Sequence, residues 1–303
     1  MELLHRIWRP DFPLDLSGTL APLHRGTGDP VSAWGPDGMW RAFRTPCGTG
    51  TLHVTARPSD GEVAATAWGE GADWLLERLP ELLGANDTPQ QLVLAPGPLR
   101  EAQRRNPGLR LSATGLVLDS LVPAVLEQKV TLIEARRAWR FLVRRHGEPA
   151  PGPRPDLSVA PSARQWALIP SWDWHRAGVD SKRADTIQRA VRLAPRLEEA
   201  SAMTSAQAHA RLMTVPGIGI WTAAETLQRA NGDPDAVSVG DFHLANHIGH
   251  FFSGRARSTD EQMLEHLAPY AGQRHRVCKL AFLAGARAPR FGPRLAPSDH
   301  RSR

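Results

Sequence analysis

The chain has 303 residues, 41% of them hydrophobic, enough to fill one large domain or two. Its two cysteines, Cys47 and Cys278, lie too far apart in sequence to build a disulfide framework, a zinc set or an iron–sulfur cluster. A net charge of +6 and a pI near 10.2, with arginine favoured over lysine, suit a polyanionic partner gripped through bidentate phosphate contacts.

No N-terminal leader pattern and no apolar run near the ~18 residues of a membrane span are present. The expectation is a cytoplasmic, nucleoid-associated monomer. From Asp11 to Trp68 the pattern is strand and turn, with strands expected at Leu14–Ser17, Met39–Arg44, Leu52–Arg57 and Val63–Trp68 between Gly, Pro and Asp clusters. Helical patterns follow at Asp73–Leu83 and Pro98–Arg105. Residues 1–118 therefore read as an α+β domain, a small antiparallel sheet with helices on one face.

Asp119 or Ser120 can cap a long helix reaching about Arg145, with Pro123 in its first turn and Leu121, Val125, Leu132, Trp139 and Leu142 or Val143 facing inward. Arg136, Arg137, Arg140, Arg144 and Arg145 on that helix are either a solvated face or a phosphate-facing one. Gly147–Pro161 reads as an exposed linker. Trp166, Trp172 and Trp174, interleaved with polar residues, either fill core or stack a nucleobase. Asp180 or Ser181 caps a helix from Lys182 to Leu193, and Ser205–Met213 forms another.

That last helix runs into Val215-Pro-Gly-Ile-Gly-Ile-Trp221-Thr-Ala, a tight turn joining two helices. Gly217 and Gly219 let another backbone approach, and the free amides opening the second helix suit a phosphate. Asp241 follows twenty-two residues after Gly219, in Val239-Gly-Asp-Phe-His, and opens a further amphipathic helix. His243, His247 and His250 share one face of it. No carboxylate or cysteine joins them at ligand spacing, so phosphate or solvent suits them better than a metal. A helix over Gln273–Leu283 ends the folded part, and the basic, proline-rich tail 286–303 is expected to be disordered.

The hairpin and the aspartate segment together resemble the helix-hairpin-helix DNA glycosylases, most closely the 3-methyladenine DNA glycosylase II branch, over residues 119–285. The resemblance implies a mainly α fold, a helical catalytic core buttressed by the N-terminal α+β domain. It also implies that Gln128 and Lys129 sit on the loop that enters DNA where a damaged base is extruded. Gly217, Ile218, Gly219 and Thr222 would contact the DNA backbone. A monovalent cation, Na+ or K+, would be held by the carbonyls of Met213, Val215 and Ile218, with no other cofactor. This chain departs from the family in two places. The branch has an apolar wedge where Lys129 stands, and an aromatic where Glu225 stands.

Cleaving an N-glycosidic bond develops positive charge on the sugar, and Asp241 supplies a negative charge at a helix N-terminus, where the dipole favours the anion. Its alternative role is a simple helix cap. Relatives that also cut the strand carry a lysine where this chain has Trp221, because a Schiff base needs an amine. The expected reaction is therefore hydrolysis alone, on double-stranded DNA containing damaged bases. Trp221 offers a face for a cationic alkylated purine such as 3-methyladenine or 7-methylguanine, with Trp172 and Trp174 as further stacking candidates. Glu225 can attract such a base, move a proton, or lie outside the pocket. Two alternatives stay open: a glycosylase for uracil or a deaminated purine, and a DNA-binding module without chemistry.

Overall fold

The computed structural model describes residues 3–57 and 61–289. Strands β1 (Leu3–Trp8), β2 (Ser32–Gly35), β3 (Gly38–Thr45), β4 (Gly48–Arg57) and β5 (Glu62–Trp68) form an antiparallel sheet in the order β1-β5-β4-β3-β2. Its register sets Met39 opposite Val54 and Leu52 opposite Ala67. Alternation then puts Met39, Phe43, Leu52, Val54 and Ala65 on one face. There they pack against α1 (Leu16–Leu20), α2 (Ala72–Glu77) and α3 (Leu79–Leu82).

The strand expected at Leu14–Ser17 is a helix start instead, because the Asp15 carboxylate accepts the Gly18 amide at 2.9 Å and caps α1. Helix α4 (Pro98–Arg105) forms where expected but leaves the sheet: Leu99 and Ala102 pack with Val277 and Leu280 near the C-terminus.

The long helix expected from Asp119 to Arg145 is two helices, α5 (Val117–Leu126) and α6 (Leu132–His146). Thr131 breaks it by forming a capping box with Glu134 at the start of α6. Nor does Asp119 or Ser120 cap α5. The Glu198 carboxylate accepts the amides of Val117 and Leu118 at 2.7 and 2.9 Å, while Asp119 pairs with Arg41 at 2.6 Å. Pro123 lies inside α5 rather than in its first turn.

The exposed linker expected at Gly147–Pro161 is pinned to the sheet. It forms a short hairpin of β6 (Glu148–Pro149) and β7 (Ser158–Val159). Arg44 reaches Glu148 at 2.8 Å and the Ala160 carbonyl at 3.2 Å, and the Ser158 amide donates to the Pro30 carbonyl at 2.7 Å.

The remaining helices are α7 (Ala163–Ala167), α8 (Ser171–Ala177), α9 (Ser181–Arg192), α10 (Ala194–Glu198), α11 (Ser205–Met213), α12 (Ile220–Ala230), α13 (Leu244–Ser253), α14 (Asp260–Leu267) and α15 (Arg274–Leu283). Helices α5 to α9, α11 and α12 share one core around Leu121, Leu142, Ile187, Leu212 and Leu227. Helices α4, α13, α14 and α15 share another around Ile248, Met263 and Leu280. The first residues of the tail are packed: Ala286 and Ala288 are buried, and the Ala288 amide donates to His247 Nδ1 at 2.8 Å. Residues 290–303 lie outside the described residues. Among those described, no helix is long and apolar enough to cross a membrane.

Candidate nucleic-acid and catalytic site

Helices α11 and α12 are joined by the turn 214–219. Gly217 adopts φ +100°, and a Cβ there would lie 2.1 Å from Thr186 Oγ1, so only glycine fits between the turn and α9. Gly219 and Ile220, at the start of α12, are exposed, and space beside Gly219 is open. No side chain caps α12, leaving its first amides to solvent or a phosphate. Ile218 is buried in the core and takes part through its backbone alone.

The turn's hydrogen bonds use the carbonyls of Arg211, Leu212 and Val215, which accept from Thr214, Val215 and Ile218. Among the described residues, none of these bonds falls on the carbonyls of Met213 or Ile218. Carbonyl oxygens so left are hard ligands of the kind a monovalent cation takes, whereas the Val215 carbonyl already holds the Ile218 amide at 3.0 Å.

Gln128 ties the loop between α5 and α6 to this hairpin. Its Nε2 donates to the Gly217 carbonyl at 3.0 Å and to Thr222 Oγ1 at 2.8 Å. Thr222 is buried, so its hydroxyl positions Gln128 rather than facing outward. The preceding Glu127 pairs with the buried Arg25 at 3.2 Å. Directly after these anchors Lys129 is exposed and adopts φ 53°, left-handed backbone that costs a lysine about 1–2 kcal/mol. Two fixed neighbours hold the strain at the loop tip.

Asp241 and Trp221 meet. Oδ1 of Asp241 accepts the amides of His243 and Leu244, both at 2.9 Å, at the start of α13. Oδ2 accepts the Trp221 indole N–H at 3.3 Å. Both side chains are half-buried, and Phe242 beside them is 75% exposed. Capping and the contact with the indole are thus done by different oxygens of one carboxylate.

Glu225, one turn after Trp221, is engaged on both oxygens. It accepts from Ser238 Oγ and pairs with Arg229 Nη1 at 2.8 Å, while Arg229 Nε donates to the Pro22 carbonyl at 3.1 Å. It therefore presents no spare negative charge to a base.

The two other aromatic candidates part company. Trp174 is walled into the core, stacked 5.9 Å from Trp166, with its indole donating to the Ile169 carbonyl. Trp172 is exposed on α8, and no ring contact among the described residues links either to Trp221. The α6 arginines mostly hold protein. Arg140 and Arg144 donate to the carbonyls of Thr27 and Gly28, and Arg145 pairs with Asp173 at 2.8 Å. The α13 histidines are likewise engaged: His247 accepts from Ala288, and His250 Nδ1 lies 3.1 Å from the Gly254 carbonyl. No group of three His, Cys, Asp or Glu among the described residues is placed to hold a metal.

Ser238 was not singled out from the sequence, and neither were His275 and Lys279 on α15. A polar pair four apart among buried residues was the one available signal for the latter.

No family model matches the sequence. Over 220 residues, 69% of the chain, it is 30% identical to a Mycobacterium tuberculosis protein named as a probable bifunctional transcriptional activator/DNA repair enzyme AlkA. That alignment takes in 43% of the relative, so the chain spans less than half the length of the curated proteins it matches. A 3-methyladenine DNA glycosylase from Archaeoglobus fulgidus has a similar structure, with TM-score 0.76 and 17% identity over 92% of this chain and 97% of that one. An 8-oxoguanine glycosylase/lyase from Clostridium acetobutylicum, solved with double-stranded DNA, gives 0.71 and 10% identity over 93% and 97%. Likeness at these identities establishes the fold.

Proposed function

We propose that this chain, which belongs by fold to the helix-hairpin-helix DNA glycosylase superfamily, hydrolyses the N-glycosidic bond of damaged purines in double-stranded DNA. The observation that carries the reading is the hydrogen bond from Trp221 to Asp241 at 3.3 Å beside an open helix N-terminus. A phosphate grip alone needs neither residue.

In this mechanism the amides at Gly219 and Ile220 and the basic loop at Lys129 hold the backbone while the damaged nucleotide leaves the stack. A monovalent cation held by the carbonyls of Met213, Val215 and Ile218 would add charge for the same phosphate. The C1′–N bond breaks with its electron pair going to the base, and the sugar becomes oxocarbenium-like. Asp241 Oδ2 faces that positive charge and accepts a proton from the water that adds to C1′. Free base and an abasic site result.

No lysine lies between Ser205 and Asp241, and Trp221 occupies the position a Schiff-base amine needs, so the reaction stops at hydrolysis. The preferred substrates are alkylated purines, whose positive charge suits the Trp221 face and whose glycosidic bond is already weakened. A second reading, a deaminated purine, is favoured by the engagement of Glu225 with Arg229 and Ser238, which removes a counter-charge for a cationic base.

The test is release of free base from DNA treated with dimethyl sulfate. Methylated purines in the soluble fraction, with abasic sites left in the strand, support the reading. DNA binding without release from that DNA or from a hypoxanthine duplex would leave only a binding module.

A further inference from the structure

Helix α15 is fixed by two arginines on either side of His275. Arg274 pairs with Asp235 and Arg276 with Asp87, and the Arg276 amide donates to the Pro234 carbonyl at 3.1 Å. The Asp235 and Pro234 contacts hold the helix against the segment that leads to Asp241, and the Asp87 pair holds it to the segment before α4. They also consume the charge of Arg274 and Arg276.

His275 and Lys279 are one turn apart, so they project from the same side of α15. Neither makes a hydrogen bond or ion pair among the described residues, and both are half-buried. Burial, helped by the positive charges of Arg276 and Arg229, pulls Lys279 down to about 8. Burial, with Lys279 and Arg229, holds His275 well below its usual value. Arg229 itself is satisfied by Glu225 and Pro22. A fold that needed only packing here would place apolar side chains, since partly desolvating an amine without giving it a partner is costly.

The position of this pair follows from its neighbours. At one end lies Arg229, paired with Glu225 on the helix that carries Trp221. Further along α15, Phe282 meets His247 at 5.6 Å, and His247 lies 5.9 Å from His243, two residues after Asp241. The helix that carries the two donors therefore reaches toward both the helix of the indole and the helix that follows the carboxylate.

We infer that Lys279 and His275 form the polar floor of the base pocket and donate to the oxygen at C6 of an extruded purine, selecting 6-oxopurines such as 7-methylguanine and hypoxanthine over 3-methyladenine. This rests on the glycosylase reading above. An ammonium has three donors and no acceptor, and it matches the O6 edge of guanine-type bases. An adenine-type base turns a 6-amino donor toward it, and two donors facing each other in a desolvated site leave both unsatisfied.

The test compares the wild type with Lys279→Met on dimethyl sulfate-treated DNA, which reports 7-methylguanine and 3-methyladenine in one reaction, and on a duplex with a single hypoxanthine. The ratio of 7-methylguanine to 3-methyladenine released should fall by roughly tenfold in the variant, with hypoxanthine release falling in parallel. His275→Phe should move the ratio in the same direction. Undiminished, salt-dependent binding of undamaged DNA certifies that each variant is folded. Release of all three bases falling by one common factor, or not falling, overturns this assignment alone. Absence of release from any substrate by the wild type overturns the glycosylase reading, and this assignment with it.

Discussion

The Trp221 indole donates to one oxygen of Asp241 while the other oxygen holds two helix amides. The capping oxygen fixes the carboxylate, and the indole aims what remains. Asp241→Asn can keep its carbonyl on the two amides but presents an NH2 to the indole, so shape survives and charge is lost. Base release should drop by about 10²-fold or more, with DNA affinity changed little. Single-turnover release and a mobility-shift titration measure the two. An asparagine variant as fast as the wild type removes Asp241 from the chemistry.

Trp221→Phe separates the ring face from the indole N–H. The face for a cationic purine persists, whereas Asp241 Oδ2 loses its one side-chain donor. A neutral donor to a charged group contributes about 1.5–3 kcal/mol, so turnover should fall about tenfold or more in Phe and further in Ala. Equal rates in Phe and wild type would mean that the indole serves by stacking alone.

Lys129 offers a case where stability and function move in opposite directions. Its φ of 53° is left-handed, and glycine adopts that conformation without a Cβ clash. Lys129→Gly should raise stability by about 1 kcal/mol. The same change removes the side chain from the loop tip that Gln128 fastens to the hairpin, so binding of lesion-containing duplex should weaken. Thermal denaturation and a binding titration on one preparation read both signs.

The hairpin, the helix start at Asp241 and most helices after residue 119 were legible because local chemistry decides them. Pro216, the glycines and the i, i+4 apolar spacing act within a few residues. The failures came from distant partners. Nothing near Val117 reveals that Glu198 caps α5, and nothing in the proline-rich stretch 147–161 reveals that Arg44 and Pro30 fasten it to the sheet. Glu225 was similarly opaque, since its role depends on Arg229 and on Ser238, a residue thirteen further along. Trp174 could be told from Trp221 only by packing, as both are indoles on helices.

The Arg276–Asp87 pair is almost wholly buried, with side chains 3% and 2% exposed, and it joins α15 to the segment that precedes α4. Burial raises the Asp87 carboxyl and lowers the Arg276 guanidinium despite their mutual attraction. Pairing thus repays only part of the desolvation. Arg276→Met leaves the buried Asp87 without its ion-pair partner, with only the Leu111 amide on its other oxygen, and should cost roughly 3–5 kcal/mol in denaturant unfolding. A loss under 1 kcal/mol would mean that water reaches the carboxylate.

Lys279 provides a stability measurement that needs no substrate. Its usual value of 10.5 is lowered to about 8 in the folded protein, with burial the largest cause. Below pH 8 both folded and unfolded chains carry the proton, and the penalty for burying the ammonium is present in full, on the order of 3 kcal/mol. Between pH 8 and 10.5 the folded protein has shed its proton while the unfolded chain still binds one, so stability rises with pH and the penalty fades. Lys279→Met should therefore unfold at higher denaturant than the wild type at pH 7, and the gap should shrink toward pH 10.5. Other groups titrate alike in the two proteins and cancel in the difference. A substitution that stabilises the fold while blunting 6-oxopurine release would identify a lysine kept for recognition against its own cost in stability. A gap independent of pH would mean instead that the ammonium is solvated, and the floor of the pocket would have to be sought on another element.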